Sequence, residues 1–236
     1  MSDKKRWLVV VLFGVAMAWM ESATVVYLRM LVGRVNPYQL SPLPRHAALG
    51  NTELVRELAT LLMLFAVGWL AGRNWRTRLC YSLIAFGVWD IFYYVFLAAI
   101  AGWPRSLLDW DVLFLIPLPW WAPVAAPMLI AGLMVLGGTL VTQFGAPLWP
   151  RRWSLLLNAC GIVLALLVFM QDAIRALPGG EPAVRAALPA RFAWPWFTLA
   201  LLLMSLSLAD LLWQMRRRAA PGLSAAAQEQ MPAQQR

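Results

Sequence analysis

Residues 79–101 read LCYSLIAFGVWDIFYYVFLAAIA, 23 residues with one charged side chain, Asp90. A helix rises about 1.5 Å per residue, so this stretch would measure about 34 Å. That exceeds the roughly 30 Å hydrocarbon core of a bilayer. It therefore reads as a transmembrane helix with an acid near its middle. The same pattern recurs on either side. Trp7–Leu28 is apolar except for Glu21, and Leu58–Gly72, Trp153–Gln171 and Phe192–Ala209 carry no charge. Val112–Pro150 is a run of 39 residues without one. It is too long for one span and too short for two with a comfortable turn. Its first part holds Pro117, Pro119, Pro123 and Pro127, and proline disfavours helix at and before itself.

These runs predict an all-α integral membrane bundle of six helices, roughly 7–31, 54–72, 79–101, 121–141, 153–175 and 193–215. A proline-broken segment at 106–120, re-entrant or interfacial, precedes helix four. A seventh span is the topological alternative. Composition agrees: of 236 residues 61% are hydrophobic and only 13% charged, against about 25% charged in soluble domains. A disordered chain, a coiled coil and an ordinary soluble α/β enzyme are excluded. Residues 1–218 read as one transmembrane domain, and 219–236, rich in Ala, Gln and Pro, as a disordered cytoplasmic tail. Residues 1–19 resemble a signal peptide in outline, but the apolar run continues to Leu28, which favours a span.

The net charge of +9 is concentrated in clusters at Lys4–Arg6, Arg73–Arg78, Arg151–Arg152 and Arg216–Arg218. Six spans place all four on one side. The positive-inside rule makes that side cytoplasmic, with both termini inside, in a bacterial inner membrane. Membrane orientation accounts for the basic residues, so no nucleic-acid partner is expected.

An ionisable group within a span is costly and needs a reason. Glu21 lies about 21 Å along helix one and Asp90 about 16 Å along helix three. Glu57, Asp109, Asp111 and Asp172 also fall in the half away from the basic clusters, with Arg29, Arg34, Arg56, Arg105 and Arg175 at similar heights. Asp210 sits near the opposite end. Helical spacing puts Glu21 on a face with Gly14, Ala18 and Thr24, Asp90 with Gly87, Tyr93 and Tyr94, and Asp172 with Asn158, Gly161 and Ala165. A Tyr phenol is expected to donate to Asp90. The expectation is a polar pocket drawn from Glu21, Asp90, Tyr93, Tyr94, Asp172, Arg29 and Glu57. The competing role for each is a structural clamp between helices, the one favoured for Glu57 and Asp210. Asp109 and Asp111 read as solvated loop acids.

Much familiar chemistry is excluded. His46 is the single histidine, the only lysines are Lys4 and Lys5, and Cys80 and Cys160 form no CxxC pair. Bis-histidine haem, a His/Cys zinc site and a retinal Schiff base therefore lack their ligands. No P-loop or Ser/His/Asp set appears. No metal site, cofactor or catalytic residue is assigned. Most of the 14 tryptophans fall near span ends, as an interfacial aromatic belt does. Trp19 and Trp89 lie deeper, beside the acids.

Residues 87–127, GVWDIFYYVFLAAIAGWPRSLLDWDVLFLIPLPWWAPVAAP, with MESATVVYLR at 20–29 and ELATLLMLFAVGWLAGR at 57–73, resemble a pattern recurring in uncharacterised bacterial polytopic inner-membrane proteins. The resemblance implies a membrane bundle and brings no activity or site residue with it. Three functions fit the residues. One is a small transporter or ion-coupled carrier. The second is an enzyme acting on a lipid or lipid-linked substrate at the periplasmic leaflet. The third is a non-catalytic subunit of a membrane complex. The expected partners are the lipid bilayer, a small-molecule, cation or lipid ligand, and other subunits of such a complex.

Overall fold

The computed structural model describes residues 1–31, 47–144 and 148–229. Arg34, Arg45, His46 and the last seven residues of the predicted tail lie outside them. The helices are α1 (Asp3–Leu31), α2 (Ala47–Ala71), α3 (Trp75–Ala101), α4 (Ala125–Gln143), α5 (Arg152–Ala176), a short α6 (Gly180–Ala186) and α7 (Trp194–Glu229). Among the described residues, six helices are long and apolar enough to cross a membrane. Two short strands, β1 (Trp110–Val112) and β2 (Trp121–Pro123), interrupt an otherwise helical chain.

Helix boundaries follow local chemistry. Asn74 caps α3: its side chain accepts from Thr77 N, and the Thr77 hydroxyl accepts from Asn74 N. This reciprocal pair satisfies two otherwise free donors and starts the helix four residues before the apolar run. Gly102, at φ 65°, ends it in the left-handed conformation. Helix α4 starts only after Pro123, because the prolines before it cannot supply helical donors. Helix α7 continues to Glu229, past Arg218, where composition alone starts the tail. The alanines of that stretch are strong helix formers.

Helix α3 is the axis of the bundle, with α1, α2 and α4 packed on it, while α5 pairs with α7 and α4 also meets α7. Glycines permit close approaches to α3. A Cβ on Gly68 of α2 would stand 2.2 Å from Ser82 N of α3, and one on Gly138 of α4 would stand 2.8 Å from the Cys80 carbonyl. Polar bonds link α5 to α7. Asn158 donates to the Met204 carbonyl at 3.1 Å, and Ser207 to that of Ser154 at 2.9 Å. Asp210 accepts from Arg151 N at 2.7 Å, at the start of α5. The clamp role expected for Asp210 fits this position, where a carboxylate also meets the helix dipole favourably.

The basic clusters gather at one end. Arg6 donates to the Ala71 carbonyl, Trp75 meets Trp149 edge-on at 5.0 Å, and the Arg151 guanidinium lies over Trp213 at 4.3 Å. The outside of the bundle is apolar: Leu62, Phe65 and Trp69 on α2 are all about half exposed. Water would disfavour so much exposed apolar surface, whereas lipid accepts it.

At the opposite end, residues 102–124 fold back into the bundle. Strand β1 pairs antiparallel with β2, Asp111 opposite Ala122. The pairing extends through Leu113 N to the Trp120 carbonyl and Trp120 N to that of Phe114. The tip is deep: the Phe114 ring stacks at 6.4 Å on Phe86, and Phe86 lies about 22 Å of helix rise before Ala101. Between α3 and α4 the chain therefore forms a hairpin whose strands pair with each other.

Candidate functional site

A cavity of about 900 Å³ lies between the α1–α4 group and the α5–α7 pair. All six long helices and the hairpin contribute to its wall. Along α4, α5 and α7 the wall is largely apolar, with Ile130, Leu133, Ile162 and Leu208, and it reaches Trp149 and Leu211 at the basic end. Toward the hairpin end it carries charge, arranged in three groups.

The first group centres on Arg56 of α2. Its guanidinium is hydrogen-bonded to both Glu21 of α1 and Glu53, and the Thr60 hydroxyl donates to Glu21 at 3.3 Å. Glu53, Arg56, Glu57 and Thr60 stand at i, i+3, i+4 and i+7, so α2 presents one polar stripe inward. Glu57 accepts the backbone N–H of Leu115 at 3.2 Å and so holds the hairpin against α2.

The second group centres on Asp111 of β1, which is 7% exposed. Arg29 of α1 approaches it at 3.7 Å, and the Tyr94 phenol of α3 donates to it at 3.2 Å. The Arg29 guanidinium also lies over the Trp103 ring at 4.5 Å, a cation–π contact. Burial pushes the Asp111 carboxyl up to about 6, against the opposing pull of Arg29, the Tyr94 phenol and the Val112 backbone. The expectation of a solvated loop acid is corrected here. Strand alternation turns Asp111 to the face opposite Trp110 and Val112, into the protein.

The third group is Asp90 of α3 and the rings beside it. Asp90 is 7% exposed, and among the described residues its Oδ2 has no hydrogen-bond partner. The expected phenol bond to it is corrected for Tyr94, whose hydroxyl serves Asp111 instead. Trp89 stacks on Tyr93 at 6.1 Å and meets Phe86 at 5.4 Å. Phe114 meets Trp120 at 5.2 Å. The indole N–H groups of Trp89 and Trp120 and Arg29 Nη1 are likewise buried without partners. The four residues carrying these unmatched atoms all line the same cavity.

Of the residues expected in a pocket, Glu21, Arg29, Glu57, Asp90, Tyr93 and Tyr94 line this one cavity. Asp172 is not among its lining residues. It lies one turn beyond Phe169 on α5 and pairs with Arg175 at 3.4 Å. Asp109 closes a local turn, accepting from Arg105 N and Ser106 N. Sequence reasoning missed Glu53 altogether, although the polar stripe on α2 is the signal that finds it. Arg185 reaches the wall but is held by Glu181 at 2.7 Å.

The cavity thus joins a long apolar chamber to a head with five carboxylates (Glu21, Glu53, Glu57, Asp90, Asp111) facing two inward guanidiniums (Arg29, Arg56). Among the described residues, no group of three or more His, Cys, Asp or Glu is placed to hold a metal ion. No protein-family model, curated protein or solved structure matches this chain.

Proposed function

We propose that this polytopic membrane protein is a small carrier that admits an amphiphilic molecule into the intrabundle cavity. The apolar body lies along α4, α5 and α7, and the polar end lies at the carboxylate–arginine head. The hairpin is a re-entrant element that builds the head. The basic end faces the cytoplasm of a bacterial inner membrane and the head faces away, as the positive-inside rule requires.

The observation that carries this reading is the continuity of one cavity between the charged head and the apolar chamber near Trp149 and Leu211. Its size is that of a small-molecule site, commonly about 300–1,000 Å³. Irregular backbone beside an intramembrane site is also a transporter habit.

Occupancy is tested with 10-bromodecanol, whose bromine quenches nearby tryptophans, in uncharged galactolipid nanodiscs. Saturable quenching is expected. Gly137→Phe should weaken or abolish it, because Gly137 lines the cavity and a Cβ there meets no atom within 4 Å, so the ring has room to enter. Quenching that rises linearly and is identical in the variant would overturn the reading. Carriage is tested in vesicles with decyltrimethylammonium, decyl maltoside and decyl sulfate. At least one should cross faster with the protein than with Gly137→Phe. Equal rates for all three sink the carrier.

A further inference from the structure

We propose that the polar end of the amphiphile is an alkylammonium group, held by Asp90 against an aromatic wall. The inference rests on the amphiphile reading above and adds the chemical class of the ligand.

The argument begins with which acids are already satisfied. Arg56 serves Glu21 and Glu53. Leu115 N serves Glu57. Arg29 and Tyr94 serve Asp111. Among the described residues, Asp90 is the remaining carboxylate of the cavity wall, and its Oδ2 is buried without a partner. It lies 11 residues from the end of α3, about 16 Å of helix rise. An ionised acid at such depth is expensive unless a positive group meets it.

The surroundings say which positive group. On α3, Phe86, Trp89 and Tyr93 stand at i−4, i−1 and i+3 of Asp90, and the hairpin supplies Phe114 and Trp120. Ring faces attract organic cations, and aromatic cages are a common device for binding ammonium groups. A hard metal ion would want six or more oxygen ligands, and rings do not supply them. An anionic head would meet five carboxylates against two guanidiniums, of which Arg56 is engaged by two acids and Arg29 faces Asp111 with only its Nη1 left unmatched. A neutral hydroxyl could bond Asp90 but would bring no charge to meet an ionised carboxylate. The unpartnered indole N–H groups of Trp89 and Trp120 suit an ether, ester or phosphate oxygen near the ammonium. The same chemistry belongs to a free alkylamine and to an aminolipid headgroup.

The test is equilibrium dialysis of labelled decyltrimethylammonium against the full chain in digalactosyl-lipid nanodiscs, which contain no ammonium. Wild type should bind it saturably and more tightly than decanol or decyl sulfate. Asp90→Asn should weaken the cation by roughly thirtyfold or more, as removing one partner of a buried charge pair does. Asp90→Glu should restore most of the affinity. 10-Bromodecanol should quench both variants as it does wild type, which shows that the cavity is intact. The ammonium assignment is overturned if Asp90→Asn binds the cation as wild type does, or if the cation binds no better than decanol. If no probe binds saturably, including 10-bromodecanol, the amphiphile reading itself fails. Adding phosphatidylethanolamine to the nanodiscs then identifies the source. Competition that requires Asp90 supports the aminolipid headgroup, and undiminished binding of decyltrimethylammonium supports a free alkylammonium ion.

Discussion

Tyr94 donates its phenol to Asp111 at 3.2 Å and so ties the central helix to the first strand of the hairpin. Arg29 approaches the same carboxylate from α1, so three separate segments meet on one buried acid. The carboxyl of Asp111 is pushed up to about 6 from its ordinary 3.8, chiefly by burial. The folded state therefore holds the proton more tightly than the unfolded chain does. The acid's contribution is most favourable below about pH 4, declines as pH rises through 4–6, and is flat above. The span of about two units corresponds to roughly 3 kcal/mol. Thermal unfolding in mild detergent from pH 4 to pH 7 should show this loss in wild type. In Asp111→Asn the slope should be shallower by that amount. Equal slopes in the two proteins would contradict the burial of this acid.

Arg56 is the counter-ion of both Glu21 and Glu53. Arg56→Ala leaves two carboxylates facing each other inside the bundle, and such a loss costs about 3–5 kcal/mol. Adding Glu21→Gln to Arg56→Ala removes one of the two uncompensated charges and leaves Glu53 without a carboxylate facing it. The double variant should recover a large part of the loss. A double-mutant cycle read by denaturation in detergent measures the coupling. If Glu21→Gln does not relieve Arg56→Ala, the two side chains do not share one site.

The six long apolar helices and the common end of the basic clusters are legible in the sequence, because hydrocarbon demands long apolar runs and the runs are there. The hairpin is not. Four prolines announce a break in helix 112–127, but strand pairing between residues 110–112 and 121–123 depends on tertiary burial that no local pattern records. The head of the site is half legible. Glu21 and Asp90 stand alone in apolar runs, so their cost draws attention. Asp111 sits beside Asp109 in a loop, and only the strand alternation of Trp110–Val112 separates a buried acid from a turn acid. The stripe from Glu53 to Thr60 was readable, yet an ion pair near a helix start resembles interfacial chemistry and hides its role.

Neighbouring glycines on α4 make a sharp contrast. At Gly138 an added methyl would stand 2.8 Å from both the Cys80 carbonyl and Ile84 Cγ1, whereas at Gly137 it meets nothing within 4 Å. Gly138→Ala should force α3 and α4 apart and destabilise the protein by about 1–3 kcal/mol, the usual cost of overpacking. Gly137→Ala should change stability by less than about 1 kcal/mol. The comparison is made in one detergent by thermal unfolding. Equal losses at both positions would mean that α4 does not face α3 through Gly138.

One hydrogen bond between the tip of the hairpin and α2 can be removed on its own. Leu115 lies near the tip, and its N–H is accepted by Glu57 at 3.2 Å. The tip holds Pro117 and Pro119, which have no N–H to offer, so few donors are present to anchor it by other routes. Glu57→Leu deletes the acceptor and leaves a half-buried N–H unsatisfied, at a cost of about 1–3 kcal/mol. The hairpin should then open more often while the helices stay packed, because the lost bond belongs to the loop and not to a helix contact. Hydrogen exchange of residues 113–120 should accelerate by roughly five- to a hundredfold. Amides in the middle of α3 should keep their wild-type protection. Glu57→Gln keeps an acceptor oxygen in place and should exchange much as wild type does. If Glu57→Leu leaves the exchange of Leu115 and Trp120 unchanged, the hairpin is held by its rings alone. The contacts of Phe114 with Phe86 and Trp120 with Phe169 would then be the anchors to mutate.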